Sequence, residues 1–167
     1  MSLRHHYKLI PNNNFTHTIK MIKTKKLHIL LVALQFGGIF YFFISGIVFP
    51  RNAFIFLTYV VALIIGFWAI LSMNNQTINV LPDVRDNATL TKSGPYKLIR
   101  HPMYTSVLTM LLGLWLNDFS ILRLLIYGCM VIVLLIKISV EERILFTKYP
   151  DYKEYSTTTK KLIPFLY

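Results

Sequence analysis

Cysteine is almost absent. The single Cys129 lies within an apolar run, which rules out a disulfide framework and a cysteine cluster around a metal. Carboxylates are scarce too: seven Asp and Glu stand against eighteen Lys and Arg, for a formal charge of +11. Such an excess suits nucleic acid or an anionic membrane face, and no recognisable nucleic-acid module accompanies it here. Also missing is a GxGxxG turn following a strand, the mark of a soluble dinucleotide-binding domain. His5, His6, His17 and His28 match no closed zinc spacing, so they read as solvated histidines and no metal site is expected.

What the chain has in quantity is apolar surface. Hydrophobic residues make up 54% of its 167 positions, and the mean hydropathy is +0.52. That is too much for a soluble domain of one-domain length, and it points to an integral membrane protein. Residues 1–26 are polar and basic and read as a cytosolic N-terminal tail. Residues 27–49 and 53–73 are uncharged runs long enough to cross a bilayer, joined by a Pro50-Arg51-Asn52 turn into a transmembrane hairpin. Gln35 with Gly37-Gly38 reads as a helix-packing face. A charged segment, 74–93, follows and is too polar to enter lipid. Apolar runs at 102–116 and 121–140 are short for spans, and two spans are favoured because an even number puts both ends on one side.

Charge distribution agrees with that topology. Six Lys or Arg fall in 1–26, four in 74–101 and six from Lys137 onward, with Lys137 counted as snorkelling to the surface; only Arg51 and Arg123 lie opposite. The positive-inside rule then places both termini in the cytosol. The expected fold is all-α, with about four transmembrane helices, a cytosolic cofactor-binding loop and a C-terminal helix. Residues 74–167 would form the functional core.

Two stretches of that core carry chemistry. Residues 94–106, GPYKLIRHPMYTS, form a cationic aromatic turn into a helix started by Pro102, where Arg100, His101 and free helix-end amides would favour an anion. Residues 141–155, EERILFTKYPDYKEY, place adjacent carboxylates where an apolar helix ends. If the last two spans are antiparallel, Arg100, His101 and Tyr104 meet Glu141 and Glu142 at the cytosolic face. Cations there suit a carboxylate, glutamates suit an ammonium, and Tyr96, Tyr104, Tyr149 and Tyr152 could face a base or a sulfonium. The set describes an amino-acid-bearing nucleotide such as S-adenosylmethionine. The terminal KKLIPFLY, basic and then apolar, reads as docking back onto the membrane surface.

These same pieces, with LTKS at 90–93, closely resemble the isoprenylcysteine carboxyl methyltransferase family, itself similar to the membrane phospholipid methyltransferases. The likeness covers about the C-terminal half. It implies a helical membrane enzyme using S-adenosylmethionine, with Tyr96, His101, Pro102, Tyr104, Glu141 and Glu142 as cofactor-binding residues and Arg100 and Glu142 as catalytic candidates. The implied acceptor is a lipophilic or lipidated molecule, either the carboxylate of an isoprenylcysteine-like group or a lipid amine. In a prokaryote the location would be the inner or plasma membrane. The alternatives are an NADPH-dependent membrane reductase of the sterol reductase type, suggested by an HxxY-like element, and a non-catalytic membrane interaction protein.

Overall fold

A computed structural model describes residues 13–73 and 90–167, with side chains from Lys26 onward in the first stretch. Among the described residues five α-helices follow one another: α1 (Asn13–Ile44), α2 (Ala53–Ser72), α3 (Pro102–Asn117), α4 (Ile121–Lys148) and α5 (Tyr152–Thr158), with a 3₁₀ turn at Gly94–Lys97. No strand occurs among the described residues; Ile99 and Lys160 form one isolated parallel bridge. The protein is all-helical, as the apolar runs require. The charged loop expected to bind cofactor lies mostly outside the described residues, as do His5 and His6.

Helix boundaries depart from the apolar runs in instructive ways. The first helix begins at Asn13, inside the segment read as a tail, and stops at Ile44, short of the expected 49. The chain then turns sharply, and Asn52 caps α2 by accepting a 3.0 Å bond from the Ile55 N–H. The last long helix does not end at its carboxylates. It runs on to Lys148, so Glu141 and Glu142 lie inside regular helix rather than against an unfavourable helix terminus.

Among the described residues three helical stretches are long and apolar enough to cross a membrane: Lys26–Ile44, Ala53–Ser72 and Ile121–Lys148. Their outer faces carry Phe36, Phe40, Phe56, Leu63, Phe67, Leu125 and Ile132, all exposed, as a lipid-facing surface requires. The 16 residues of α3 extend about 24 Å, less than the roughly 30 Å of a hydrocarbon core. By contrast the 28 residues of α4 reach about 42 Å, so its last turns project beyond the core on the acidic side.

The helices pair in antiparallel fashion. On α2 and α3, Ser106 Oγ donates to the Ala62 carbonyl at 2.7 Å, while Tyr59 lies against Gly113 farther along. On α1 and α4, Gln35 meets Lys137, Gly38 meets Met130 and Phe42 meets Arg123. Phe42, Leu111, Leu114 and Met130 make the core between α1, α3 and α4. At the far end Asn117 Nδ2 donates to the carbonyls of Ile47 and Phe49, both at 2.8 Å, and Asn117 Oδ1 accepts from the Arg51 N–H at 2.9 Å. Arg123, read as an outer-surface cation, is 2% exposed there, with Nη1 on Asp118 at 3.0 Å and Nη2 on the Phe42 carbonyl. One turn is thereby stitched to the other, and the opposite ends of α3 and α4 are held in register.

Close approach of α2 and α3 depends on Gly113, because a Cβ there would sit 2.8 Å from a Tyr59 ring carbon. Gly113→Leu should therefore destabilise the protein by about 1–3 kcal/mol. A thermal melt in detergent checks this, and an unchanged Tm would contradict the packing described.

Candidate functional site

The site is built where the 3₁₀ turn, the start of α3, the end of α4 and the C-terminal segment meet. Gly94 opens it with φ +57, a left-handed conformation, and packs so tightly on α2 that a Cβ would strike Ser72 and lie 3.0 Å from Trp68 Nε1. The 3₁₀ turn then aims the chain across the bundle. Pro102 takes the first position of α3, buried, where its ring suits helical φ and its missing N–H costs nothing.

Arg100 and Glu142 form the centre. Arg100 Nε donates to Glu142 Oε1 at 2.7 Å, with both side chains about nine-tenths buried. Arg100 Nη1 donates to the carbonyls of Ser156 (3.0 Å) and Thr159. Lys161 Nζ reaches Glu142 Oε2 at 3.3 Å, and Tyr152 OH lies 3.5 Å from Oε1. Three separate elements thus converge on one carboxylate.

Glu141, one residue earlier, is more accessible: its side chain is 21% exposed against 10% for Glu142. The Tyr104 hydroxyl donates to Glu141 Oε1, and His101 Nδ1 lies 3.7 Å from Oε2. His101 is buried, with Nε2 3.6 Å from Glu142 Oε1, and that nitrogen makes no hydrogen bond among the described residues. The His101 ring stacks on Tyr104 with centroids 5.7 Å apart and planes 12° off parallel. One turn deeper along α4, Lys137 Nζ lies 5.1 Å from the Tyr104 ring centroid and donates to Gln35 Oε1 at 2.6 Å.

A tyrosine layer backs the charged groups. Tyr155 OH donates to the Tyr96 carbonyl at 2.7 Å. Burial pushes the hydroxyls of Tyr96 and Tyr155 up to about 12 and raises that of Tyr152 as well. All three therefore stay protonated at neutral pH, and those of Tyr155 and Tyr152 donate to the Tyr96 carbonyl and Glu142. Tyr152 and Tyr155 are both buried and face inward.

Of the residues singled out from sequence, the structure brings Arg100, His101, Tyr104, Glu141 and Glu142 together, with Tyr96 packed behind them and Pro102 at the helix start. It changes two expectations. The amides near the α3 start are not open to a ligand at Arg100 and His101: they donate to the Lys160 and Lys161 carbonyls at 2.7 and 3.0 Å. Correspondingly, the terminal KKL stretch packs along this entrance rather than only onto a membrane surface, with Thr105 Oγ1 donating to the Leu162 carbonyl at 2.7 Å. Sequence reasoning missed Lys161 and Thr159 as partners of the glutamate and arginine. It also took Lys137 as snorkelling and Gln35 as packing, yet they bond to each other in the interior. The intramembrane position of Lys137 was the available signal.

Comparison with known proteins bears on what this arrangement belongs to. Across 81 residues the chain is 34% identical to the cobalt-zinc-cadmium resistance protein CzcN of Cupriavidus metallidurans, a stretch covering 48% of this chain and 38% of that protein. The chain thus spans well under two thirds of that relative. No solved structure matches. The family described as phospholipid methyltransferase matches residues 53–152, which takes in α2, α3, α4 and the whole Arg100-to-Glu142 constellation. With more than half its length so matched, and with the motifs at 94–106 and 141–155 converging in space, the chain belongs to the phospholipid methyltransferase family of membrane proteins.

Proposed function

We propose that this protein is an S-adenosylmethionine-dependent membrane methyltransferase acting on a lipophilic or amphiphilic acceptor. The observation that supports it most is the meeting of Arg100, His101 and Tyr104 with Glu141 and Glu142 at one end of an antiparallel helix pair, in a chain of this family. The residues fit the donor's chemistry. The exposed edge of Glu141 suits an ammonium, Lys161 and Arg100 suit a carboxylate, the Tyr96 and Tyr104 rings suit a base or a sulfonium, and the buried His101 Nε2 has capacity for a polar partner. When bound, S-adenosylmethionine would supply a methyl group on a positively charged sulfur.

The chain's own residues then have distinct tasks. Arg100 and Glu142, the catalytic candidates, neutralise each other and fix the charged wall on which donor and acceptor are oriented. Tyr104 and His101 hold Glu141 in place. Burial of Arg100, His101 and Glu142 excludes water and keeps these interactions strong, so positioning carries most of the rate. A carboxylate acceptor arrives ionised and needs no base; an amine acceptor must lose a proton, for which His101 is the candidate, since Glu142 is engaged by Arg100 and Lys161. In this reading both termini are cytosolic, the site opens at the cytosolic boundary, and in a prokaryote the host is the inner or plasma membrane.

Titration calorimetry of the detergent-solubilised protein tests the scheme. Glu141→Gln and His101→Ala should each weaken S-adenosylmethionine binding roughly ten-fold or more, the worth of a charge-assisted contact. Undiminished affinity in both variants would remove the site assignment. The reductase alternative requires NADPH to protect against heat where S-adenosylmethionine does not, and the non-catalytic alternative requires neither to bind.

A further inference from the structure

One cation of this region is used by nothing described so far. Lys137 lies in a membrane-spanning stretch of α4 and is 6% exposed. A charge at that depth is costly and tends to mark a ligand pathway. The neighbouring cations face carboxylate: Arg100 and Lys161 both bind Glu142, and His101 lies between Glu142 and Glu141. Lys137 instead meets the neutral amide oxygen of Gln35 at 2.6 Å and the face of Tyr104. Glu141, one turn along the same helix, attracts the ammonium through space, while its Oε1 accepts from Tyr104. Of the three N–H donors on a lysine ammonium, Gln35 Oε1 takes one.

Exposed apolar side chains adjoin the buried pair. Leu34 and Phe36 flank Gln35 on α1, and Ile132 and Ile136 precede Lys137 on α4, all exposed and apolar. An alkyl chain could lie along them while a charged group at its head reached the ammonium. The antiparallel α1–α4 register that sets Gln35 opposite Lys137 therefore places a positive, partly hydrogen-bonded nitrogen one turn toward the bilayer centre from Glu141.

We propose that Lys137, held by Gln35, is the subsite for a negatively charged oxygen group of the amphiphilic methyl acceptor. The identity of the bound molecule as an acceptor rests on the methyl-transfer reading; the anion subsite itself does not. The oxyanion would be a phosphate ester of a lipid headgroup, with Lys137 orienting the nearby nucleophile, or a carboxylate that is itself methylated.

The test uses the full chain in neutral maltoside micelles, titrated with dodecyl phosphate, dodecanoate and uncharged dodecanol, with binding read by native mass spectrometry. An anionic probe should saturate at one per chain and bind roughly ten-fold or more tighter than dodecanol, as expected for a charge-assisted contact. Lys137→Met should reduce it to the dodecanol level, and Lys137→Arg should keep it within about three-fold. Gln35→Glu preserves the lysine and supplies it with a buried counter-ion; it should abolish anion preference too, and it covers the case in which Lys137→Met does not fold. Tighter dodecyl phosphate would identify the headgroup source, and tighter dodecanoate the carboxylate source. Equal binding of dodecanol, or parent-like anion binding in Lys137→Met, overturns the proposal. S-adenosylmethionine binding is measured on the same samples. Its absence from the parent would defeat the methyl-transfer reading alone, and its loss in both Lys137→Met and Gln35→Glu with anion binding intact would assign Lys137 to the donor and defeat this one.

Discussion

Replacing Arg100 with methionine should abolish the proposed methyl transfer and lower stability by about 3 kcal/mol, the lower end of what removing one partner of a buried ion pair costs. Glu142 would lose its 2.7 Å partner while remaining largely shielded from water, and Lys161 would be left as the nearest full cation. The same change frees the carbonyls of Ser156 and Thr159, so α5 loses its tie to the α3 entrance. Arg100→Lys should recover only part of the stability, since an ammonium cannot reach a carboxylate and two carbonyls in the planar arrangement of a guanidinium. A melt in detergent together with a labelled-methyl assay reads both effects. Parent-like activity in Arg100→Met would show that the pair is not part of the working site.

The second large effect is expected from a truncation that leaves every spanning helix intact. Ending the chain after Thr158 removes the carbonyls that receive the Arg100 and His101 amides, the Leu162 carbonyl that receives Thr105, and the Lys161 ammonium on Glu142. Each buried polar group left without a partner costs on the order of 1–3 kcal/mol, and two backbone amides and one hydroxyl are affected. The penalty falls on the site, because α1 to α4 keep their own packing. The proposed activity and S-adenosylmethionine binding should drop at least a hundred-fold, a little under 3 kcal/mol, while far-UV helicity stays near the parent value. Retained binding in the truncated protein would mean that the C-terminal segment merely covers the surface.

Much of this architecture is legible in the sequence, for identifiable reasons. Uncharged runs of span length force helices, because lipid leaves backbone groups no other partner. Pro102 marks a helix start, and the spacing between RHPMY and EER is enough to bring them together once the intervening runs are taken as an antiparallel pair. The motif resemblance led to the family that the matched residues support. Other features lay beyond such reasoning. Hydropathy ends a span at the first carboxylates, yet regular helix continues through Glu141 and Glu142, since Tyr104, Arg100 and Lys161 compensate them from other elements. Nothing local in KKLIP announces that its carbonyls receive the amides of residues 60 positions earlier, since backbone pairing leaves no side-chain signature. The Gln35–Lys137 bond joins residues 102 positions apart, and each alone reads as incidental polarity in an apolar helix.

The shortness of α3 has a consequence for traffic at the site. About 24 Å of helix set in about 30 Å of hydrocarbon obliges the bilayer to pucker inward or the helix end to sit recessed beside its longer neighbours. A shortfall taken up at the Pro102 end leaves a hollow beside the site, with α4 rising past it like a post. A water-borne reagent descending into the hollow and a greasy one drifting along the leaflet would arrive at the same depth, and neither would have to leave its own solvent.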